Sequence, residues 1–328
     1  MIIVRTPFRV SLFGGGTDLP SYYSNVGGMV ISMAIDKHIY LTAHPMFESN
    51  EILLKYSAIE RVSTPSSIQH NIFRKMLEKH QVSGVDISVS SDIPSGTGLG
   101  SSSAFTVGLA NLLNEYKGLK LSKEQLAAEA CEIEINSLNQ LIGKQDHYAS
   151  TFGGFNRIEF LPDESVNVHP ITINQEVLTN LNESLILVRV GRTRSAGDLL
   201  KKQALARASS RNTEKALDEI YELTKSIENS VFSNLKDLGE LLSLSWKLKK
   251  ESNPSATTQE IDELIGFGIS NGALGAKLLG AGGAGFVLFL LPRESVDNFK
   301  QVIKHRKILN VGIDFKGSTL VYDNRQGG

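Results

Sequence analysis

Cysteine is almost absent from this chain: Cys131 stands alone among 328 residues, so no internal disulfide framework or cysteine-based zinc site can form. That scarcity fits a reducing compartment. Proline is also scarce, at 9 residues against 29 glycines. Glycine without proline points away from low-complexity linkers and toward backbone that approaches something closely. There is no excess of charge of either sign. Lys and Arg number 34 and Asp and Glu 35, a net charge of −1, which argues against an electrostatic nucleic-acid binder. Long hydrophobic runs are missing too. The longest uncharged stretch, 93–114, could cross a bilayer by count, but it holds Pro94 and six Ser or Thr positions. The N-terminal MIIVRTPFRV is broken by Arg5 and Arg9, unlike a signal peptide. The expectation is a cytoplasmic chain that begins as given, with no membrane segment.

What is present describes a globular protein. Hydrophobic residues make up 41% of the chain and mean hydropathy is −0.08. The length favours two domains. Strand patterns fall at 30–43, 52–56, 84–90, 155–161, 185–190 and 286–291, with a closing hairpin expected from 311–315 and 319–322 around Lys316-Gly317. Helical spacing is found at 67–80, 104–116, 126–141, 196–208, 214–229, 235–250, 258–269, 273–279 and 294–304. This mixture predicts an α+β class. The polar stretch after Pro162 is the expected boundary, dividing the chain into 1–165 and 166–328.

Three glycine-rich loops carry the chemistry. The second, Pro94-Ser95-Gly96-Thr97-Gly98-Leu99-Gly100-Ser101-Ser102-Ser103, follows a strand and opens a helix. Small residues, outward N–H groups and a helix N-terminus make an anion site suited to a triphosphate. It is not a Walker A loop, since no lysine occurs between Asp92 and Tyr116. The plain alternative is a glycine-rich turn with a serine cap. The third loop, Gly280-Ala281-Gly282-Gly283-Ala284-Gly285, satisfies G-x-G-x-x-G, but an expected helix precedes it and a strand follows, the reverse of a dinucleotide fingerprint. It is expected to pack closely against a ligand or another glycine loop, or to serve tight helix-to-strand packing. The first loop runs from a strand bearing Arg5 and Arg9 through Gly14, Gly15, Gly16 and Thr17 to Asp18. For Arg9 or Asp18 alone, a surface salt bridge is the plainer reading.

In this order the loops resemble the galactokinase, homoserine kinase, mevalonate kinase and phosphomevalonate kinase family, the GHMP kinases. The matching residues are Arg5-x-Pro7-x-Arg9-Val10 with Asp18, Pro94-x-Gly96-x-Gly98-Leu99-Gly100-Ser101-Ser102, and Lys277-Leu278-Leu279-Gly280-Ala281-Gly282-Gly283. The resemblance implies a ribosomal protein S5 domain 2-like N-terminal domain, a ferredoxin-like C-terminal domain, and an ATP-dependent small-molecule kinase acting in the cleft between them. It further implies that residues 94 and 96 together with 98–103 hold ATP, that Ser102 and Glu134 hold Mg2+, and that Asp146 is the catalytic base. Glu132 is a rival for the metal role, and solvated helix charge is the plain reading of both glutamates. Arg9 would stabilise developing negative charge. Gly14, Gly15, Gly16, Thr17 and Asp18, with Gly282 and Gly283, would meet the substrate.

The first loop also bears on substrate. Galactokinases and mevalonate kinases carry Gly-Glu-His where this chain has Gly14-Gly15-Gly16, so two polar contacts are absent. The run from Phe13 to Tyr23, continued by Gly27-Gly28 and Ile35 to Tyr40, looks like that of bacterial D-glycero-D-manno-heptose 7-phosphate kinases, which make the 1,7-bisphosphate for nucleotide-activated heptose. L-fucose kinase domains are the runner-up. Other readings are a catalytically silent ATP- and sugar-binding regulator and a decarboxylase of the same fold. A phosphorylated sugar needs a second anion site, and Thr193, Arg194 and Ser195 after the strand 185–190 suit one. A basic surface turn is the plain alternative. The expected partner is therefore a small phosphorylated sugar, with no nucleic acid and no membrane; the sequence is compatible with a homo-oligomer.

Overall fold

The computed structural model describes residues 1–191 and 211–327. The expected helix 196–208 and the candidates Thr193, Arg194 and Ser195 lie outside the described residues.

The chain opens with two long strands, β1 (Ile2–Phe13) and β2 (Gly28–Pro45), paired antiparallel and linked by the first glycine loop and helix α1 (Pro20–Val26). Strands β3 (Ile52–Lys55), β4 (Ile59–Val62), β5 (Val85–Ser91), β6 (Phe155–Phe160) and β7 (Val166–Pro170) join the same sheet. The 18 residues of β2 serve two neighbours along one edge: residues from Gly28 to Met33 pair with β6, and those from Ile39 to Pro45 with β5. Alternate β2 residues face the core, as period-two patterning requires. Helices α2 (Asn71–His80), α3 (Ser101–Tyr116), α4 (Lys123–Cys131) and α5 (Gln145–Phe152) belong to this lobe, with Phe73, Phe105, Leu109 and Leu113 buried against Val4, Phe8 and Leu41 of the sheet.

The second lobe adds α6 (Gln175–Ser184), β8 (Leu185–Val190), α7 (Arg211–Ser226), α8 (Leu235–Ser252), α9 (Gln259–Ser270), β9 (Gly275–Leu278), β10 (Gly285–Leu290), α10 (Val296–Val302) and β11 (Ile308–Asn310). Its sheet runs β11-β8-β10-β9, each pair antiparallel. The continuous apolar runs of β8 and β10 have a physical reason. Leu185, Leu187, Phe286 and Leu288 pack into the core shared with the first lobe, while Ile186, Val188, Val287 and Phe289 pack with Trp246, Ile261 and Phe299. Both faces are buried, so no alternation is left. An apolar seam of this kind holds the lobes as one unit.

Several elements differ from the sequence pattern. The helix expected over 126–141 is α4 followed by a π turn, Glu132–Ser137, which ends at Leu138. The wider turn shifts the phase of the side chains that follow, a device common near functional sites. The helix expected over 273–279 is strand β9, since Ala276 and Leu278 are enclosed between α8 and β10. The expected closing hairpin does not form. Ile308 to Asn310 pair with β8, Ile313 bridges Ile35, and β12 (Thr319–Asp323) pairs with β1, returning the end of the chain to the first sheet. The division expected between 165 and 166 falls beside the β6–β7 turn, and β7 remains in the first sheet through Pro170. Among the described residues, no helix is long and apolar enough to cross a membrane.

Candidate active site

The three glycine loops line one cavity of about 1110 Å³ between the lobes. Their convergence depends on bare backbone. A Cβ on Gly98, whose φ is +81°, would stand 2.5 Å from the Leu279 carbonyl oxygen, and one on Gly280 would stand 2.4 Å from the Gly98 Cα. Gly285 likewise faces the Thr97 carbonyl oxygen. The second and third loops are thus interlocked, the tight loop-on-loop packing that the glycine content suggested. The third loop joins β9 to β10, so it is a hairpin connection and no dinucleotide fingerprint.

The helix α3 starts at this cavity. Its N-cap is Gly100, in the left-handed region at φ +75°, and no side chain caps the first turn. The N-terminal N–H groups of a 16-residue helix therefore open toward the cleft, together with the positive end of its dipole. Pro94, Gly96, Gly98, Gly100, Ser101, Ser102 and Ser103 all line the cavity. Leu99 does not: its side chain lies in the core, and its carbonyl accepts the Arg9 N–H at 3.1 Å.

Arg9 joins the loops to the candidate base. Only 5% exposed, it donates from Nε and Nη2 to the two carboxylate oxygens of Asp146, both at 2.6 Å, and from Nη1 to the Gly98 carbonyl at 2.8 Å. A two-pronged guanidinium–carboxylate contact fixes orientation as well as charge. Asp146 lies in the first turn of α5, where the helix dipole favours a carboxylate. Arg9 is buried and Asp146 only partly exposed at the cleft, so the surface salt bridge considered for Arg9 alone does not apply.

Asp18 faces the same space. Its carboxylate accepts N–H groups from Gly16 at 2.9 Å and Gln145 at 3.3 Å. A Cβ on Gly143 would stand 1.8 Å from its Oδ2, which explains glycine there. Burial, and then the charge of Asp146, push its pKa up, partly offset by those N–H bonds. Gly15 and Gly16 line the cavity beside it, but Gly14 and Thr17 do not. Gly14 packs on the β2 backbone at Met29, and the Thr17 hydroxyl lies 2.8 Å from the Gly14 carbonyl and 2.9 Å from that of Met29. Their expected substrate contact gives way to holding the first loop on β2. In the third loop Gly282 lines the cavity, whereas Gly283 spends its N–H on the Ala256 carbonyl.

Glu134 sits in the π turn, fully buried, and is no solvated helix charge. Ser102 donates to its Oε1 at 2.5 Å, and His147 Nε2 lies 2.7 Å from its Oε2. Glu132 instead pairs with Lys79 at 2.9 Å on the surface, away from the cleft. Ser102 and Glu134 are thus two adjacent hard oxygen donors at the uncapped helix end. Burial works against charge on both His147 and Glu134. It is outweighed at His147 by the Cys131 sulfur and Glu134, which hold the imidazole pKa well above 6.5, and at Glu134 by His147 and the Ser102 hydroxyl, which hold the carboxyl below 4.5. The raised histidine contributes stability that is fully present below pH 6.5 and lost as pH rises through its folded pKa. The depressed glutamate contributes stability present above pH 4.5 and lost toward acid. His147→Ala should therefore cost about 3–5 kcal/mol near neutrality, by leaving a buried carboxylate uncompensated. It should also flatten the alkaline decline. Urea denaturation across pH checks this, and an alkaline limb equal in both proteins would refute it.

Some residues of the cleft were given no role by sequence reasoning, although Lys277 heads the third matching motif. Lys277, in β9, is only 4% exposed and donates to the Leu12 carbonyl across the lobes. Burial first, then the charges of Lys249 and Arg9, hold its pKa well below 10.5. A lysine inside an otherwise apolar strand was the available signal. Tyr56, His70, Phe73 and Phe105 form an aromatic end of the cavity. They come from separate elements, and no local pattern marks them.

Cleft, interlocked loops and arginine-held aspartate define a class. The description "GHMP kinases N terminal domain" matches residues 67–154 and "GHMP kinases C terminal" matches 223–306, between them more than half of the chain. The chain belongs to the GHMP kinases and is an ATP-dependent sugar kinase. Among its relatives, the D-glycero-α-D-manno-heptose 7-phosphate kinase of Campylobacter jejuni is 29% identical over 303 residues, covering 88% of this chain and 89% of that protein. The galactokinase of Thermotoga neapolitana is 24% identical, covering 92% and 93%. A crystal structure described as a D-glycero-D-manno-heptose 1-phosphate kinase from Bacteriodes thetaiotaomicron has the same fold, with a TM-score of 0.79 at 21% identity over 98% of this chain and 100% of that one.

Proposed function

We propose that this kinase transfers the γ-phosphoryl group of ATP to the anomeric hydroxyl of D-glycero-D-manno-heptose 7-phosphate, giving the 1,7-bisphosphate. The observation that carries this reading is the Arg9–Asp146 contact beside the uncapped start of α3. Phosphoryl transfer asks mainly for position and charge stabilisation, and both are present there. The loop from Pro94 to Ser103 cradles the phosphates. Asp146 takes the proton of the sugar hydroxyl, whose oxygen forms the new bond to phosphorus as the bond to the ADP oxygen breaks. Arg9 keeps the Asp146 carboxylate aimed and faces the developing charge. Asp18 and the bare loop at Gly15 and Gly16 hold the sugar.

The oxygens of Ser102 and Glu134 fit Mg2+, a hard cation that takes few protein ligands and fills the rest from phosphate and water. When bound, the ion would neutralise charge on the transferring phosphates. The remote sugar phosphate is assigned to Thr193, Arg194 and Ser195. In support, Gly191, which leads into them, packs on Ala284 at the cavity wall. An ATP-consuming enzyme with one free thiol suits the cytoplasm, and a homo-oligomer is compatible with this reading.

The name of the Campylobacter relative and the missing Glu-His of the first loop both favour the heptose. A sugar panel with ATP and Mg2+ tests it. Heptose 7-phosphate should be turned over with the highest kcat/KM, with product phosphorylated at the anomeric oxygen by 31P NMR. Turnover of L-fucose or galactose with none of the heptose would overturn the assignment.

A further inference from the structure

A small group of polar atoms in the cleft has no use in the proposed chemistry. Ser11 lies two residues beyond Arg9 on β1, in a regularly paired stretch, so both side chains project from the same face of the strand. Gln145 immediately precedes Asp146. Both residues line the cavity. Yet the Ser11 hydroxyl and the Gln145 side-chain oxygen Oε1 are buried without a hydrogen-bond partner among the described residues. Buried polar atoms are normally paired, and a pair left open in a ligand cleft calls for an explanation.

Gly15 supplies the third side of this spot. A Cβ there would meet the Ser11 Oγ at 3.5 Å and the Gln145 Nε2 at 3.7 Å, and nothing else within 4 Å. Both are ordinary van der Waals contacts, and Gly15 is not in the left-handed region, so the backbone does not demand glycine. What glycine provides is open space. That volume is bounded by a hydroxyl and a side-chain amide.

We propose that Ser11 and Gln145, over the bare Cα of Gly15, form a subsite for a second hydroxyl of the sugar, near the one that faces Asp146. The hydroxyl of the ligand exchanges hydrogen bonds with the Ser11 hydroxyl and the Gln145 side-chain amide, whose Nε2 is its nearest atom to the Gly15 position and whose Oε1 has no partner among the described residues. A site built to hydrogen-bond a hydroxyl rejects the analogue that lacks it, because its own polar groups are then left unpaired. The subsite therefore selects among sugars as well as binding them. This inference rests on the sugar-kinase reading of the cleft.

The test is steady-state kinetics of Ser11→Ala, Gln145→Leu and Gly15→Ala with the sugar that the wild type uses and with a deoxy series of it. Each of the first two should lower kcat/KM for the sugar about 3- to 10-fold, the worth of one neutral hydrogen bond, through sugar KM and with ATP KM unchanged. Gly15→Ala should fill the space, lower sugar kcat/KM at least as far, and keep the wild-type Tm. One deoxy sugar should be a poor substrate for the wild type and lose nothing further in Ser11→Ala. A wild type active on sugar, with Ser11→Ala and Gln145→Leu indistinguishable from it, overturns the subsite alone. A wild type that phosphorylates no sugar overturns the reading beneath it.

Discussion

Replacing Asp146 by asparagine should lower turnover roughly 10²- to 10⁴-fold while ATP still binds, the loss expected when a general base is removed from an intact site. The substitution keeps the shape of the side chain and one oxygen for Arg9, but turns an amide N–H2 toward guanidinium donors that now meet two carboxylate oxygens at 2.6 Å. It removes both the proton acceptor and half of the aiming contact. Because Asp146 touches only the acceptor side of the reaction, kcat and kcat/KM for the sugar should fall together, the pattern of an interaction made in the transition state. Single-turnover phosphoryl transfer from labelled ATP separates this from slow product release. A folded Asp146→Asn protein with near-normal single-turnover rates would take the base role away from this residue.

The same pair shows how much of the site was legible in advance. The second glycine loop could be read because its function is a backbone requirement: small residues at fixed positions, a strand before and a helix after, leave a mark in one local window. Arg9 and Asp146 stand 137 residues apart, and nothing in either segment announces the contact; only resemblance to a family joined them. Glu134 posed the opposite problem. In an uninterrupted helix over 126–141 it reads as one of several charges, and the π turn that buries it against Ser102 and His147 has no simple sequence signature.

Misreadings in the fold have a common cause. The segment Ala273 to Leu279 is rich in Ala, Leu and Lys, all good helix formers, yet β9 forms because its backbone hydrogen bonds and its burial are both supplied by β10 and α8. Val311 to Phe315 and Thr319 to Tyr322 were strand-like, but pairing them as a hairpin ignored the open edge of β1, which β12 fills from the far end of the chain. In each case a long-range partner overrode a local preference. Thr17 and Leu99 carry the same lesson at the scale of one side chain. Both lie within functional loops, and both face the protein.

Gly98 is where loop geometry and chemistry meet most tightly, and Gly98→Ala should cost about 10²-fold in kcat/KM. Its added methyl would have to withdraw from the Leu279 carbonyl oxygen, now 2.5 Å from the Cβ position, and the shift would be resisted by Gly280, packed on the other side of the same contact. The Gly98 carbonyl holds Arg9 Nη1 at 2.8 Å, so moving Gly98 moves the guanidinium and the Asp146 carboxylate with it. A displacement of about 1 Å at reacting groups is enough for a loss of that size. The left-handed backbone adds roughly 1–2 kcal/mol of strain for any L side chain. Gly118→Ala separates the two effects. Gly118 has φ +72°, close to the +81° of Gly98, but a Cβ there meets nothing within 4 Å. It should lower Tm through strain alone and leave kcat/KM untouched. Equal kinetics in the two variants would mean that the interlock of the second and third loops does not position Arg9.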